Sequence, residues 1–231
     1  MSPAALIIGN SDGIGLALTR ELLQRGWTVR GVSRRPAPIE HIAYSHTVAD
    51  VCAPRYRETL RAAAPGELSL CIYCAGIGEF FDAARCERDV DTLETNLVGL
   101  ARTVEVVLPA LLGRPRATLV GLSSLADVMP SALAPAYAAS KVGMSYYLEG
   151  TGRALRRSSV RVVNVRLGFV DTKMAKATVK PFMLSPARAA ERILARVLSD
   201  SPPPRLDLPR RMAWLMRWAA AVAALTGAFR R

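Results

Sequence analysis

Tyr137 and Lys141 are four residues apart in the segment Tyr137-Ala138-Ala139-Ser140-Lys141. On a helix this spacing places both side chains on one face. A phenol has a pKa of about 10, and a neighbouring ammonium group favours its ionised form. The pair therefore indicates a proton donor and acceptor, although an ordinary helix pair has the same spacing.

Two serines lie upstream of this pair, directly after an apolar run over residues 117–122. Ligands of open parallel sheets bind outside the carboxyl ends of the strands. A hydroxyl at such a strand end is suited to hold the oxygen of a reacting group. Ser124, thirteen residues before Tyr137, is the candidate, with Ser123 as the alternative.

A glycine-rich turn follows the first apolar run of the chain, residues 4–8. Its sequence is Gly9-Asn10-Ser11-Asp12-Gly13-Ile14-Gly15, and an amphipathic segment follows it. Glycines permit a tight turn and a close approach of the backbone, and the N-terminus of the following helix attracts a phosphate. The pattern favours a dinucleotide site, but a plain glycine turn at a helix start fits it too. Asp12 brings a negative charge that would oppose a nearby phosphate.

The second apolar run ends at Ser33-Arg34-Arg35. A site that prefers NAD(H) usually has an acidic residue here for the ribose 2′-hydroxyl, and the nearest acid downstream is Glu40. Two arginines suit a 2′-phosphate instead, so NADP(H) is favoured over NAD(H). Two solvated loop arginines remain the alternative interpretation.

Apolar runs alternate with amphipathic stretches over most of the chain. This alternation predicts a Rossmann-like, doubly wound α/β fold with a mainly parallel sheet and helices on both faces. The predicted strands cover residues 4–8, 27–32, 46–49, 68–74, 117–122 and 160–166, and the predicted helices cover 14–25, 54–64, 87–112, 135–157 and 186–198. We expect a dinucleotide-binding catalytic domain over 1–204 and a basic amphipathic tail over 205–231.

Taken together and in this order, these motifs resemble the single-domain branch of the short-chain dehydrogenase/reductase family over residues 4–198. The glycine turn, Tyr137 with Lys141, and Ser124 at the family's spacing carry the resemblance. Asn96 matches the family's helix asparagine, and Asp50-Val51 matches its adenine-contacting pair.

The resemblance implies a role for each matched residue. Ser124 would polarise the substrate carbonyl, Tyr137 would exchange a proton with it, Lys141 would bind the nicotinamide ribose and lower the tyrosine pKa, and Asn96 would hold a relay water. The implied cofactor residues are Gly9, Ser11, Asp12, Gly13, Ile14, Gly15, Ser33, Arg34, Arg35, Asp50, Val51, Ala75, Gly76, Gly168 and Thr172.

The chain departs from the family pattern at two positions. Cys74 replaces the asparagine of the usual Asn-Ala-Gly, a residue that mainly steadies the sheet, so little should change. Leu167 replaces the proline of the usual Pro-Gly, and its loss is expected to loosen the loop that follows.

The net charge of +12 comes almost entirely from arginine, yet the sequence has no basic run interleaved with aromatics and no DNA-binding motif. We therefore expect no nucleic-acid partner. The four cysteines match neither a disulfide framework nor a metal motif, so we expect no metal and a reducing, cytoplasmic location.

Apolar side chains outside the motifs suggest where a substrate would bind. Residues 170–185 correspond to the family's substrate loop, and its apolar members suggest a lid, with a loop burying its own residues as the alternative. These members are Met174, Phe182, Met183 and Leu184, beside Lys173, Lys176 and Lys180. Phe80 and Phe81 are expected either to form another wall or to pack in the core.

The tail has an apolar run from Met212 to Leu225, nearly continued to Phe229, with Arg210 and Arg211 before it and Arg230 and Arg231 after it. It is marginal in length for a membrane span. It could also lie on an anionic membrane or pack against the domain, the pocket or a second subunit. The family implies a homodimer or homotetramer formed through the helices at 87–112 and 135–157.

These features lead us to expect an oxidoreductase that interconverts a carbonyl and an alcohol on a small to medium lipophilic molecule with NADP(H). A non-catalytic NADPH-binding sensor or scaffold with the same fold is the alternative. It would have no need for the complete set of Asn96, Ser124, Tyr137 and Lys141. An epimerase or dehydratase of the extended family needs a larger C-terminal substrate domain than this chain provides.

Overall fold

Seven parallel strands form one sheet in the order β3-β2-β1-β4-β5-β6-β7 in the computed structural model, which describes residues 2–64, 66–175 and 180–225. The strands are β1 (Ala4–Ile8), β2 (Thr28–Ser33), β3 (Tyr44–Val48), β4 (Leu68–Tyr73), β5 (Ala117–Ser124), β6 (Val160–Leu167) and β7 (Arg205–Leu208). The inner strands are buried along almost their whole length because helices cover both faces of the sheet. The predicted doubly wound fold is therefore confirmed.

Seven α-helices accompany the sheet over the described residues. They are α1 (Gly13–Gln24), α2 (Tyr56–Ala63), α3 (Glu87–Leu93), α4 (Gly99–Leu112), α5 (Pro135–Ala154), α6 (Pro186–Val197) and α7 (Arg210–Leu225). The helix predicted over 87–112 is α3 and α4 joined by a π-helical segment, Glu94–Val98. This region is long and apolar enough to cross a membrane, but Val104, Val107 and Leu111 of α4 pack in the core.

Strand β7 was not predicted, because the sequence analysis assigned its residues to the tail. Asn164 to Leu167 of β6 pair in parallel with Arg205 to Leu208. The first four residues of the expected tail thus belong to the sheet. A strand of four residues directly after three prolines is too short to produce a recognisable alternation of polar and apolar side chains.

The strand order reverses its direction of winding between β1 and β4, which are neighbours in the sheet. A crevice forms at the carboxyl ends of the strands at such a reversal, because the connections on its two sides lead away in opposite directions. The turn after β1, the turn after β4 and the segment after β5 all open into this crevice.

Candidate active site

One cleft of about 610 Å³ lies at the carboxyl ends of the strands. This volume falls within the range of about 300–1,000 Å³ that small-molecule and cofactor sites usually have. Every residue that the sequence analysis associated with the cofactor lines it, from the glycine turn through Arg34 and Arg35 to Thr172. Ser124, Tyr137 and Lys141 line it as well, whereas Asn96 does not.

Glycine is required at two positions of the first turn because the backbone passes so close by. A Cβ atom on Gly9 would lie 2.5 Å from the backbone nitrogen of Ala75, and one on Gly15 would lie 2.2 Å from the carbonyl oxygen of Gly9. Gly9 also has a φ of +84°, which side chains disfavour. This cradle, which opens at the N-terminus of α1, fits the pyrophosphate of a dinucleotide.

Asp12 has a structural role that removes part of the expected conflict with a phosphate. Its carboxylate caps α1 by accepting a hydrogen bond of 2.8 Å from the Gly13 N–H, and it forms an ion pair of 2.7 Å with Lys173. The contact with Lys173 is the main reason why the pKa of Asp12 lies below its usual value. Its negative charge is therefore balanced by the loop that follows β6.

The end of β2 is shaped by a polar cluster. The Ser33 hydroxyl contacts the carbonyl oxygen of Arg35 at 2.9 Å and the amide oxygen of Asn10 at 3.3 Å. Ser33 therefore has contacts that shape the turn, while Arg34 and Arg35 are exposed beside the cleft. Within the described part of the chain, neither arginine has an ion-pair partner.

Ser124 and Tyr137 face each other in the cleft. A hydrogen bond with the Ser124 hydroxyl favours ionisation of the phenol, but burial opposes it more strongly and raises the pKa of Tyr137 above its usual value of 10. The Ser123 hydroxyl contacts the Asn164 side chain at 2.5 Å, so it is engaged between β5 and β6. Of the two serines, Ser124 is the one whose hydroxyl influences the pKa of the tyrosine.

Lys141 lies behind Tyr137 and is almost completely buried. Its ammonium group donates to the carbonyl oxygen of Leu122 at 2.9 Å and lies 5.6 Å from the centre of the tyrosine ring. Burial lowers the pKa of Lys141 to about 8. Lys141 is not among the groups that shift the pKa of Tyr137 in this structure, so its expected lowering of that pKa stays a prediction.

Asn96 is buried behind the cleft, in the π-helical segment. Its amide accepts a hydrogen bond from the Ile77 N–H at 2.8 Å and donates to the Ile77 carbonyl oxygen at 2.9 Å. It also donates to the Ser140 hydroxyl, which in turn donates to the carbonyl oxygen of Tyr137. Asn96 thus ties the strand β4 turn to the helix that carries the tyrosine.

The apolar side of the cleft differs in part from the expectation. Phe80 and Met174 line it, but Phe81, Phe182 and Met183 do not and are about half exposed. Leu184 packs against the core instead, and Lys176 lies outside the described residues. The cleft is also lined by Phe169, which the sequence analysis did not single out, and by two residues of the tail, for which the pocket was one of its alternatives: Met212 and Met216. The last two are four residues apart on α7, and this spacing was the signal that could have revealed them.

Comparisons with known proteins agree with the fold. The family profile described as short chain dehydrogenase matches residues 3–181. An uncharacterised oxidoreductase of Myxococcus xanthus is 33% identical over 231 residues, covering 90% of each chain. A 3-oxoacyl-[acyl-carrier-protein] reductase of Vibrio harveyi is 28% identical over 233 residues, covering 90% of this chain and 86% of the relative.

Solved structures show the same fold. A short-chain dehydrogenase from Streptomyces avermitilis superposes with a TM-score of 0.84 at 20% identity, covering 100% of this chain and 96% of the other. A short chain dehydrogenase from Burkholderia cenocepacia in complex with NADP has a TM-score of 0.83 at 22% identity, covering 100% of this chain and 99% of the other. With the family profile matched over most of the length and a relative more than 30% identical, the chain belongs to the short-chain dehydrogenase family.

Proposed function

We propose that the chain is an NADP(H)-dependent oxidoreductase that interconverts a carbonyl and an alcohol on a small to medium lipophilic substrate. The observation that carries this proposal is the meeting of Ser124 and Tyr137 in the cleft, with Lys141 directly behind them. Bound in the glycine cradle, a nicotinamide dinucleotide would supply or accept the hydride that this chemistry needs.

The side chains of this chain supply the proton. Tyr137, whose pKa is raised by burial, keeps its proton at neutral pH and is suited to donate it to a carbonyl oxygen that becomes an alkoxide. The Ser124 hydroxyl would hold the same oxygen. Lys141 would stabilise the phenolate left behind, and Asn96 would hold α5 in place through Ser140.

Two features support the choice of cofactor and of substrate class. Arg34 and Arg35 are exposed at the end of β2, where their guanidinium groups suit a 2′-phosphate. Phe80, Met174 and Met216 give the substrate side an apolar wall. The relative from Vibrio harveyi is named as a 3-oxoacyl reductase, so 3-oxoacyl thioesters belong among the substrates to test.

Turnover of a carbonyl panel tests the proposal. NADPH oxidation is followed with 3-oxoacyl thioesters, aliphatic ketones and aldehydes. Tyr137→Phe should lower kcat by roughly 10²–10⁴-fold while the Kd for NADPH stays the same, because only the proton is lost. Tyr146→Phe is the matched control, since Tyr146 is 79% exposed on the same helix. Equal rates for wild type and Tyr137→Phe would contradict the proposal, and NADPH binding without any turnover would favour the sensor alternative.

We also infer that α7 makes peripheral contact with an anionic membrane. Trp214, Trp218 and Val222 recur every four residues and lie exposed on the side of α7 away from the cleft. Arg210, Arg211 and Arg217 accompany them, which suits anionic headgroups. Arg230 and Arg231, also expected to contribute, lie outside the described residues, as does Phe229.

Assembly into a homodimer or homotetramer is the remaining part of the proposal. Exposed apolar side chains on α3 and α4, namely Val90, Leu93 and Leu112, support an interface on the helical region 87–112. Light scattering after size exclusion should give two or four times the 24.9 kDa of one chain. A Val90→Asp variant should shift that mass to one chain, and a monomeric wild type would contradict the inference.

A further inference from the structure

Asp127 is a buried carboxylate that joins the two parts of the proposed catalytic pair. Ser124 ends β5 and caps the short 3₁₀ helix Leu125–Val128, because its hydroxyl accepts a hydrogen bond of 3.1 Å from the Ala126 N–H. Asp127 lies in that 3₁₀ helix and accepts a hydrogen bond of 2.6 Å from the Ser145 hydroxyl. Ser145 is on α5, two helical turns beyond Tyr137. One carboxylate thus contacts both the turn that orients Ser124 and the helix that carries the tyrosine.

Arg166 holds this carboxylate in a fixed orientation. Its guanidinium group donates to both carboxylate oxygens of Asp127, with the Nε–Oδ2 distance at 2.6 Å, and its Nη1 donates to Asp207 on β7 at 3.1 Å. The side chains of Arg166 and Asp127 are only 2% and 5% exposed. Charges so deeply buried are retained only when they are paired, and a two-pronged contact also fixes their geometry.

We propose that Asp127, oriented by Arg166, is a positioning residue that sets the placement of the Ser124 hydroxyl relative to the Tyr137 phenol. The inference rests on the proposed function and deepens it. A displacement of about 1 Å in a reacting group can cost roughly 100-fold in rate, so a rigid tie between the two elements has a direct catalytic consequence. The Ser124 hydroxyl is held by two contacts, one with Ala126 and one with Leu167. Because Ala126 belongs to the 3₁₀ helix, the position of that helix affects the position of the hydroxyl.

The two carboxylates bound to Arg166 provide a matched comparison. Asp127 and Asp207 both pair with the same guanidinium group, but Asp207 is on the edge strand, outside the 3₁₀ helix that Ser124 caps. It reaches α5 only indirectly, because it binds Arg205, which forms an ion pair of 3.8 Å with Glu149 of α5. Asp127→Asn and Asp207→Asn each remove one negative charge beside Arg166 and leave the side-chain shape unchanged. If the ion pairs merely stabilise the fold, kcat should fall in both variants in proportion to the decrease in Tm.

The experiment measures kcat, KM, the Kd for NADPH, the Tm and amide hydrogen exchange for both variants, well below their Tm. We expect Asp127→Asn to lower kcat by at least roughly 10-fold with the Kd for NADPH unchanged, because alignment of the pair is lost. Amides of the 3₁₀ helix should exchange faster in this variant alone. Asp207→Asn should keep kcat within about 2-fold of wild type even where its Tm falls, because Ser124 keeps its support.

Ser145→Ala is the milder variant, since it removes one hydrogen bond and leaves the ion pair intact. It should lower kcat by a few-fold, so the proposal stays testable if Asp127→Asn fails to fold. Equal losses of kcat in the two aspartate variants, or exchange in the 3₁₀ helix that does not change in Asp127→Asn, would overturn the proposal. Absence of turnover in the wild type would contradict the proposed function. The exchange measurement would still test whether Asp127 holds the 3₁₀ helix against α5.

Discussion

Burial shifts the pKa values of Tyr137 and Lys141 in opposite directions. It raises the pKa of Tyr137 and lowers that of Lys141 to about 8, because a low-polarity environment disfavours the charged form of each. At neutral pH the phenol is therefore protonated and most of the lysine is still an ammonium. These are the protonation states that suit proton donation to a carbonyl, which is the reduction direction.

The arginines at the end of β2 lead to the first prediction at the residue scale. Arg34→Ser combined with Arg35→Ser should raise the Kd for NADPH by roughly 10–100-fold, because charge-assisted hydrogen bonds to a phosphate are lost. The Kd for NADH should change little, since it has no 2′-phosphate. Fluorescence titration with both dinucleotides measures this change.

Arg157→Ser is the control for this prediction, because Arg157 is an equally exposed arginine that does not line the cleft. It should leave both Kd values unchanged. If the double variant raises the Kd values for NADPH and NADH by the same factor, the arginines do not bind the 2′-phosphate.

At the scale of the element, α7 has two faces with different surroundings. Met212 and Ala213 are buried against Leu125, and Met212 and Met216 line the cleft. Trp214 and Trp218 on the other side are 68% and 59% exposed. The same helix therefore forms a wall of the proposed substrate site and presents an aromatic surface, which favours a lipophilic substrate taken up near a membrane.

Variants on the two faces of α7 should separate these roles. Trp214→Ser with Trp218→Ser should abolish sedimentation with phosphatidylglycerol vesicles and leave kcat on a water-soluble ketone unchanged. Met216→Ala should keep vesicle binding and raise KM for long-chain substrates by roughly 5–150-fold, because roughly 1–3 kcal/mol of apolar contact is lost. Neutral phosphatidylcholine vesicles and high salt are the controls. Equal binding of the tryptophan variant and wild type would refute the membrane contact.

At the scale of the whole molecule, burial of Lys141 reduces stability. Its pKa falls from the usual 10.5 to about 8, which corresponds to about 3 kcal/mol against folding when the group is charged. Between pH 8 and pH 10.5 the unfolded chain binds this proton while the folded chain does not. The destabilisation by Lys141 is therefore fully present below pH 8. It shrinks as the pH rises through that window, so the free energy of unfolding increases.

Lys141→Met should accordingly be the more stable protein at pH 7, by about 2 kcal/mol after the loss of the hydrogen bond to Leu122. The difference from wild type should shrink as the pH rises from 8 to 10.5, and activity should be lost. Urea unfolding at several pH values measures this. Lys180→Met, which replaces a lysine that is only partly buried, should show no such pH dependence. A variant less stable than wild type at pH 7 would contradict the prediction.

Much of the cleft was predictable because its motifs are local in sequence. Gly9 to Gly15, Arg34 with Arg35, and Tyr137 with Lys141 each lie within one turn or one helix, so spacing alone indicates which side chains share a face. Apolar runs likewise identified the six longer strands and their parallel arrangement. Sequence by itself therefore determined the fold class and the chemical types of the residues in the cleft.

Tertiary structure decided the features that depend on distant parts of the chain. Asp127 and Arg166 meet across 39 residues, and β7 joins the sheet only because β6 offers it a free edge. The position of Asn96 behind the cleft and the contact of α7 with Leu125 also arise from packing between separate elements. Local periodicity carries no information about such pairings, because they are selected by burial and by the matching of charges once the whole chain is folded.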